Sequence, residues 1–199
     1  MIGLATLLAS ATQAYSQEHL AKSMHEVRAE TDRTSEQLKA TLRTLNGLTE
    51  QSKGDLRPAY EAFATEVTNT MAAAATTAAR VKWMDGEGQQ YFKEWQDTIA
   101  GVANESLRKK AQKRLESVRS EFDEVNKELK EASAKFKPFL SDLSDIQKSV
   151  SMDVTANGVK AVRGTVKSAN WNHKSVDRAI NSALKELDKM EKALSPDAR

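Results

Sequence analysis

The sequence predicts an all-α protein, an elongated antiparallel four-helix bundle of coiled-coil type, and three observations carry that prediction. The first is a seam of twelve positions, Ala111, Leu115, Val118, Phe122, Val125, Leu129, Ala132, Phe136, Phe139, Leu143, Ile146 and Val150, spaced alternately by four and three residues. A mean period of 3.5 keeps one apolar stripe facing a partner helix and cannot serve a strand, whose side chains alternate with a period of two. The second is composition: 8 Gly and 3 Pro in 199 residues, with 29% charged and 6% aromatic side chains, favour helix almost throughout. The third is that short polar connections separate long seams, and long helices joined by short turns pack up-down-up-down.

The first helix is predicted from about Ser16 to Leu48, with Leu20, Met24, Val27, Thr31, Thr34, Leu38, Thr41, Leu45 and Leu48 at the same alternating spacing. Threonines weaken the middle of this stripe. Asn46-Gly47 and Ser52-Lys53-Gly54-Asp55 supply a stop and a turn, with Asp55 as cap of a second helix and Pro58 in its first turn. That helix carries Leu56, Tyr60, Phe63, Val67, Thr70, Ala74, Thr77, Val81 and Met84. Gly88, Tyr91, Trp95 and Val102 continue its register, so Gly86 to Gly88 reads as a soft spot allowing close backbone approach, the alternative being a loop.

A turn at Gly101 to Asn104 leads into the third helix, a rod of about 60 Å at 1.5 Å per residue. Pro138 lies inside it, where it removes one backbone hydrogen bond and is expected to kink the helix while the seam runs on past it. Ser151-Met152-Asp153 is the next turn, with Asp153 or Thr155 as cap. The fourth helix bears Val159, Val162, Val166, Ala169, His173, Val176, Ile180, Ala183, Leu187, Met190 and Leu194 and ends before Pro196.

Charge and composition exclude several function classes. With 30 basic and 28 acidic residues the net charge is +2, and the signs alternate along the helices as on solvated faces, so nothing demands nucleic acid. Zero cysteines exclude disulfides, thiolate catalysis and cysteine-based metal sites. Ile2-Gly3-Leu4-Ala5-Thr6-Leu7-Leu8-Ala9, followed by small and polar residues to Ala14, resembles the apolar part of a secretory signal without its basic start. Residues 1–14 are therefore expected to be a truncated signal peptide and 15–199 one elongated helical domain, periplasmic or secreted. The alternative is that these residues are the apolar start of the first helix of a cytoplasmic protein. No later stretch reaches the ~18 apolar residues of a membrane span.

Several short stretches resemble a known family. Phe92-Lys93-Glu94-Trp95, Asn104-Glu105-Ser106-Leu107-Arg108, Phe136-Lys137-Pro138-Phe139-Leu140 and Val154-Thr155-Ala156-Asn157-Gly158-Val159 are similar, in order and spacing, to landmarks of the bacterial domain of unknown function 2959. The similarity spans roughly Leu20 to Leu194. It implies a long-helix protein of the proteobacterial envelope with no assigned biochemical activity. The family's lipobox cysteine has no counterpart here, and its basic, histidine-containing stretch at the third-to-fourth helix junction is replaced by Ser149-Val150-Ser151-Met152-Asp153. No lipid anchor and no functional residues are carried over.

Candidate sites are few. His19, His25 and His173 lie on helices, and none follows a Glu by three residues, so the Glu-x-x-His pairs of di-iron bundles are missing and no metal or cofactor is expected. His173 reads as a seam residue hydrogen-bonded across the bundle. Arg108, Lys109, Lys110, Lys113 and Arg114 gather five positive charges in seven residues near a helix N-terminus. They are a candidate contact for anionic lipid or another anion, against the plainer reading of a solvated face paired with Glu105 and Glu116.

Of three tryptophans, Trp95 falls on the seam as a core residue, whereas Trp171 falls off it, as a candidate partner contact or a cap over a bundle edge. In Met71 to Ala79 the small residues are expected to let neighbouring helices approach closely. The threonines of the first helix leave room for a second copy or another protein on the third. The expected function is a non-enzymatic scaffold or interaction protein with a protein partner or self-association. The alternative is a ligand-sensing bundle with a pocket near Gly86 to Gly88, or one held peripherally on a membrane by the basic cluster.

Overall fold

A computed structural model describes residues 2–51 and 54–194, with side chains from residue 14 onward. The side chains of the signal-like run at 2–9, residues 52 and 53 of the predicted turn, and Pro196 lie outside the described residues. Among these residues there are five helices and no strand: α1 (Ile2–Glu50), α2 (Arg57–Ala100), α3 (Glu105–Met152), α4 (Ala156–Ala161) and α5 (Arg163–Leu194). The 48 residues of α3 make a rod of about 70 Å. The predicted four-helix bundle is present, with one amendment: the fourth helix is broken at Val162, which leaves α4 as a short helix ahead of α5.

Each chain reversal has a local cause. The stop expected at Asn46-Gly47 does not act, and α1 runs on to Glu50. The reversal comes later, where Gly54 takes φ +91, a left-handed conformation that only glycine adopts without strain. Leu56, not Asp55, is the N-cap of α2, although the Asp55 carboxylate accepts from the Arg57 N–H at 3.1 Å. Asn104 caps α3 by accepting from the Leu107 N–H at 3.1 Å, and Thr155 caps α4 by accepting from the Gly158 N–H at 3.4 Å. Gly158 is buried against the Asp153 carbonyl, which occupies the place a Cβ would need. Helix α3 continues unbroken through Pro138.

The packing is antiparallel all round. Thr34 meets Thr77, and Glu26 meets Arg80, across α1 and α2. Asn126 meets Asp85 across α3 and α2, and Asn172 meets Asp142 across α5 and α3. Gln17 donates to the Leu194 carbonyl, closing α1 on α5. The closest packing is α1 on α2 and α3 on α5, so the bundle is a pair of tight hairpins joined along two looser seams.

The predicted seams are the buried faces. All nine α1 positions are buried, threonines included, as are eleven of the twelve on α3, with Ala111 half-buried. On α2, Phe92 and Ile99 join the core, and Trp95 is half-buried rather than central. The threonines are not a weakness. Thr41 and Thr70 are fully buried and share a hydrogen bond of 2.7 Å, Thr34 and Thr77 share one of 2.9 Å, and Gln37 donates to Glu66 at 2.5 Å. These four hydroxyls find partners on the facing helix and the Thr31 hydroxyl donates to the Val27 carbonyl of its own helix, which offsets the desolvation cost of burying them. Consequently the seam of α3 is buried within the chain along most of its length.

Candidate functional site

The buried core falls into two clusters along the rod, with half-buried Leu184 packed against both. One cluster holds Leu38, Phe63, Phe136, Phe139, Leu143 and their neighbours; the other holds Leu20, Met84, Phe92, Phe122, Leu187 and theirs. At the waist between them small residues line the gap: Thr31 and Thr34 on α1, Ala74, Thr77 and the exposed Ala78 on α2, Ala132 on α3. The threonine pairs draw α1 against α2 there, but α3 does not follow. An elongated cavity of about 400 Å³ is left between α2 and α3. Small residues in Met71 to Ala79 thus bring a neighbour close on one side only.

The cavity floor is apolar, formed by Val81, Leu129, Phe136, Leu140 and Ile180, the last reaching through from α5. One end is closed by Asp85, whose carboxylate accepts from the side-chain amides of Asn126 at 3.0 Å and Gln89 at 2.9 Å. Lys82, Lys130 and Lys137 stand on the rim, and none makes an ion pair among the described residues. The expected pocket near Gly86 to Gly88 is therefore displaced, beginning at Asp85 and running away from the glycines. Gly88 itself is buried under the Phe122 ring within an unbroken helix, as the soft-spot reading required and the loop alternative did not.

The five basic residues lie on the exposed start of α3, and three of them are engaged within the chain. Lys109 pairs with Glu105 at 2.8 Å, Arg108 donates to the Val102 carbonyl at 3.3 Å, and Arg114 donates to the Ala193 carbonyl at 2.8 Å. Lys110 and Lys113 remain without partners among the described residues, and with Asn104, Ser106 and the paired Glu105 and Lys109 they line a shallow open depression. Trp171 stands 68% exposed and Trp83 62% exposed, on separate helices.

His173 is half-buried and makes no cross-bundle hydrogen bond among the described residues. Its ring lies 6.0 Å from that of Phe139 instead, and burial lowers its pKa, partly opposed by Asp177 and reinforced by Lys39. Burial likewise pushes the Tyr91 hydroxyl up to about 12, Arg114 pulling weakly the other way. His19 approaches Glu87 at 3.7 Å. Among the described residues no three His, Asp or Glu side chains converge as a metal would require.

The waist was missed in the sequence because no single seam announces it. The signal was available only by laying the helices side by side, when Thr34, Thr77, Ala78 and Ala132 fall at one level.

With this geometry in view, the comparison with known families is decisive: residues 12–194 match the family described as "Protein of unknown function (DUF2959)". The chain belongs to that family. No curated protein matches it. The stretches through which the chain resembled DUF2959 prove to be fold determinants: Phe92 packs on Phe122 with ring centroids 5.5 Å apart, Asn104 and Thr155 are helix caps, and Gly158 admits the Asp153 carbonyl. The third stretch of this DUF2959 chain also places Phe136, Lys137 and Leu140 in the waist cavity. No helix among its described residues is long and apolar enough to cross a membrane.

Proposed function

We propose that this protein is a non-enzymatic helical protein of the bacterial cell envelope, a scaffold or interaction protein that works through the outer surfaces of its bundle. In this reading residues 15–199 form the mature domain in the periplasm or outside the cell. The observation that carries it is Trp171, whose large side chain is 68% exposed on α5. Its neighbour Asn172 is tied to Asp142 at 2.7 Å, so the indole projects from an ordered helical surface. A tryptophan on a preorganised surface supplies large apolar contact at small entropic cost, the property that enriches it at binding hot spots.

The test is a photo-crosslinking amino acid placed at position 171, and separately at position 127 as a control, in natively expressed protein. Discrete adducts at 171 but not at 127, in an envelope fraction and on a chain whose first residue lies near Tyr15, are expected. Equal labelling at both positions, or recovery in the cytoplasm on a chain retaining Met1, would overturn the interaction or the export part respectively.

A second reading, peripheral attachment to an anionic membrane, is favoured by the depression that Lys109, Lys110 and Lys113 share. Head-group attraction of this kind is screened by salt. Co-sedimentation with anionic vesicles, lost on replacing Lys110 and Lys113 with Glu and weakened by added salt, is its expected signature.

A further inference from the structure

We infer that the waist cavity between α2 and α3 is a binding site for a single-chain amphiphile with an anionic head group, of the long-chain carboxylate class. This goes beyond the interaction role proposed above and does not depend on it.

Shape comes first. The lining residues run from Ala74 to Asp85 on α2 and from Asn126 to Leu140 on α3, so the slot extends about 20 Å along the helix axes at 1.5 Å per residue. Its volume of about 400 Å³ is within the range of small-molecule sites. A helix is about 10–12 Å across, too wide to enter between two helices that Asn126 and Asp85 tie together at one end of the slot. A helical segment of another chain could lie on this slot but not in it. The slot is proportioned for one slender, flexible chain.

The chemistry of the floor narrows the occupant further. Val81, Leu129, Phe136, Leu140 and Ile180 offer only carbon. The threonine hydroxyls beneath them are already engaged, Thr31 with the Val27 carbonyl at 2.7 Å and Thr34 with Thr77 at 2.9 Å. A peptide backbone or a polar ring entering here would lose its hydrogen bonds to water and find few in return, since among the lining hydroxyls just that of Ser133, at the exposed edge, is without a partner among the described residues, and that loss opposes the gain from its apolar atoms. An alkyl chain loses nothing.

The rim sets the sign of the head group. Lys82 and Lys130 stand at neighbouring levels one turn from the end closed by Asp85 and Asn126, and Lys137 flanks the slot farther on. The Asp85 carboxylate keeps its negative charge while its oxygens accept from two neutral amides, and none of the three ammonium groups is paired with it or with another carboxylate among the described residues. The structure thus presents an apolar slot whose rim carries three positive charges against one negative, a net positive rim that the carboxylate of an alkyl chain complements while its tail covers the floor.

The experiment uses the full chain and dodecanoate below its micelle concentration, followed by isothermal titration calorimetry, with dodecyltrimethylammonium as the probe of opposite head charge. Saturable binding of one dodecanoate per chain is expected, with the cationic probe binding weakly. Ala78→Phe, at an exposed lining position, fills the slot and should weaken dodecanoate by roughly tenfold or more. The pair Lys82→Glu and Lys130→Glu should weaken it roughly tenfold and strengthen the cationic probe, a reversal that a misfolded protein could not produce. Circular dichroism melts verify that both variants remain folded. Absence of saturable binding, or binding indifferent to both variants, overturns the site. So does a wild-type dimer in sedimentation velocity that Ala78→Phe turns into a monomer, because the slot would then be an interface between copies. Binding to anionic phospholipid vesicles with the same sensitivity to the variants, but not to monomeric dodecanoate, would likewise replace this proposal with a membrane contact.

Discussion

The ring of Phe122 on α3 sits in the space that a Cβ on Gly88 of α2 would occupy. The ring cannot easily retreat, because Phe122 is buried and packed against Phe92 at 5.5 Å between centroids, with Arg119 over the far ring at 5.7 Å. Gly88→Ala therefore sets a helix-propensity gain of about 1 kcal/mol against an overpacking cost of about 1–3 kcal/mol. Net destabilisation of up to about 2 kcal/mol by urea unfolding is expected. Gly86, two residues away, has nothing within 4 Å of its would-be Cβ, so Gly86→Ala should stabilise by up to about 1 kcal/mol. Equal effects at the two glycines would remove the case for close approach at Gly88.

Thr41 and Thr70 test whether the α1–α2 seam is held by paired hydroxyls. Both are fully buried, and their oxygens lie 2.7 Å apart. Thr41→Val strands the Thr70 hydroxyl and should cost about 1–2 kcal/mol, whereas the double change to valine removes both polar groups and should be close to neutral. A double-mutant cycle in urea checks this, and strictly additive losses would show that the pair is not coupled.

His173 should make stability depend on pH. Burial against Phe139 disfavours the charged imidazole, Asp177 favours it, Lys39 opposes it, and the net result is a pKa below the ordinary value. The unfolded chain therefore takes up a proton first, at about pH 6.5. The contribution is full above that value and is lost as the pH falls through the folded-state pKa. Wild-type melting temperature should drop between about pH 7 and pH 5 more steeply than that of His173→Leu. Parallel curves would mean that His173 does not titrate differently in the two states.

Pro138 interrupts no helix but leaves α3 one hydrogen bond short, since it has no N–H to offer the Ala134 carbonyl. The position is exposed, so a smaller side chain opens no void. Pro138→Ala should raise stability by about 1–3 kcal/mol in thermal or urea unfolding. A loss would mean that the proline bends α3 to fit the seam beyond it.

How much was legible in the chain follows from how local each feature is. The buried stripe of α3 was readable residue by residue, because a 3.5-residue period needs only one helix to be recognised. Caps at Asn104 and Thr155 were equally local. Leu56 displaced Asp55 as N-cap, and Asn46-Gly47 was carried through as helix, because packing over the last turn of a long rod outweighs the propensity of two residues. Phe92 was missed for a related reason: it lies beside Tyr91 on a buried face wider than a single stripe. Trp171 was legible as off-seam, but the choice between edge cap and exposed side chain required the neighbouring helices.

By itself the sequence determined the helical class, the four seams and the antiparallel order of long rods, because each depends on periodicity and turn chemistry within a short window. The tertiary structure alone decided that threonines pair across α1 and α2, that three of the five basic residues are engaged at the end of α3, and that the core parts at its waist. These depend on the register between helices, which aligns Thr34, Thr77, Ala78 and Ala132 from distant parts of the chain. A gap in packing belongs to no residue; it exists only where several small ones meet.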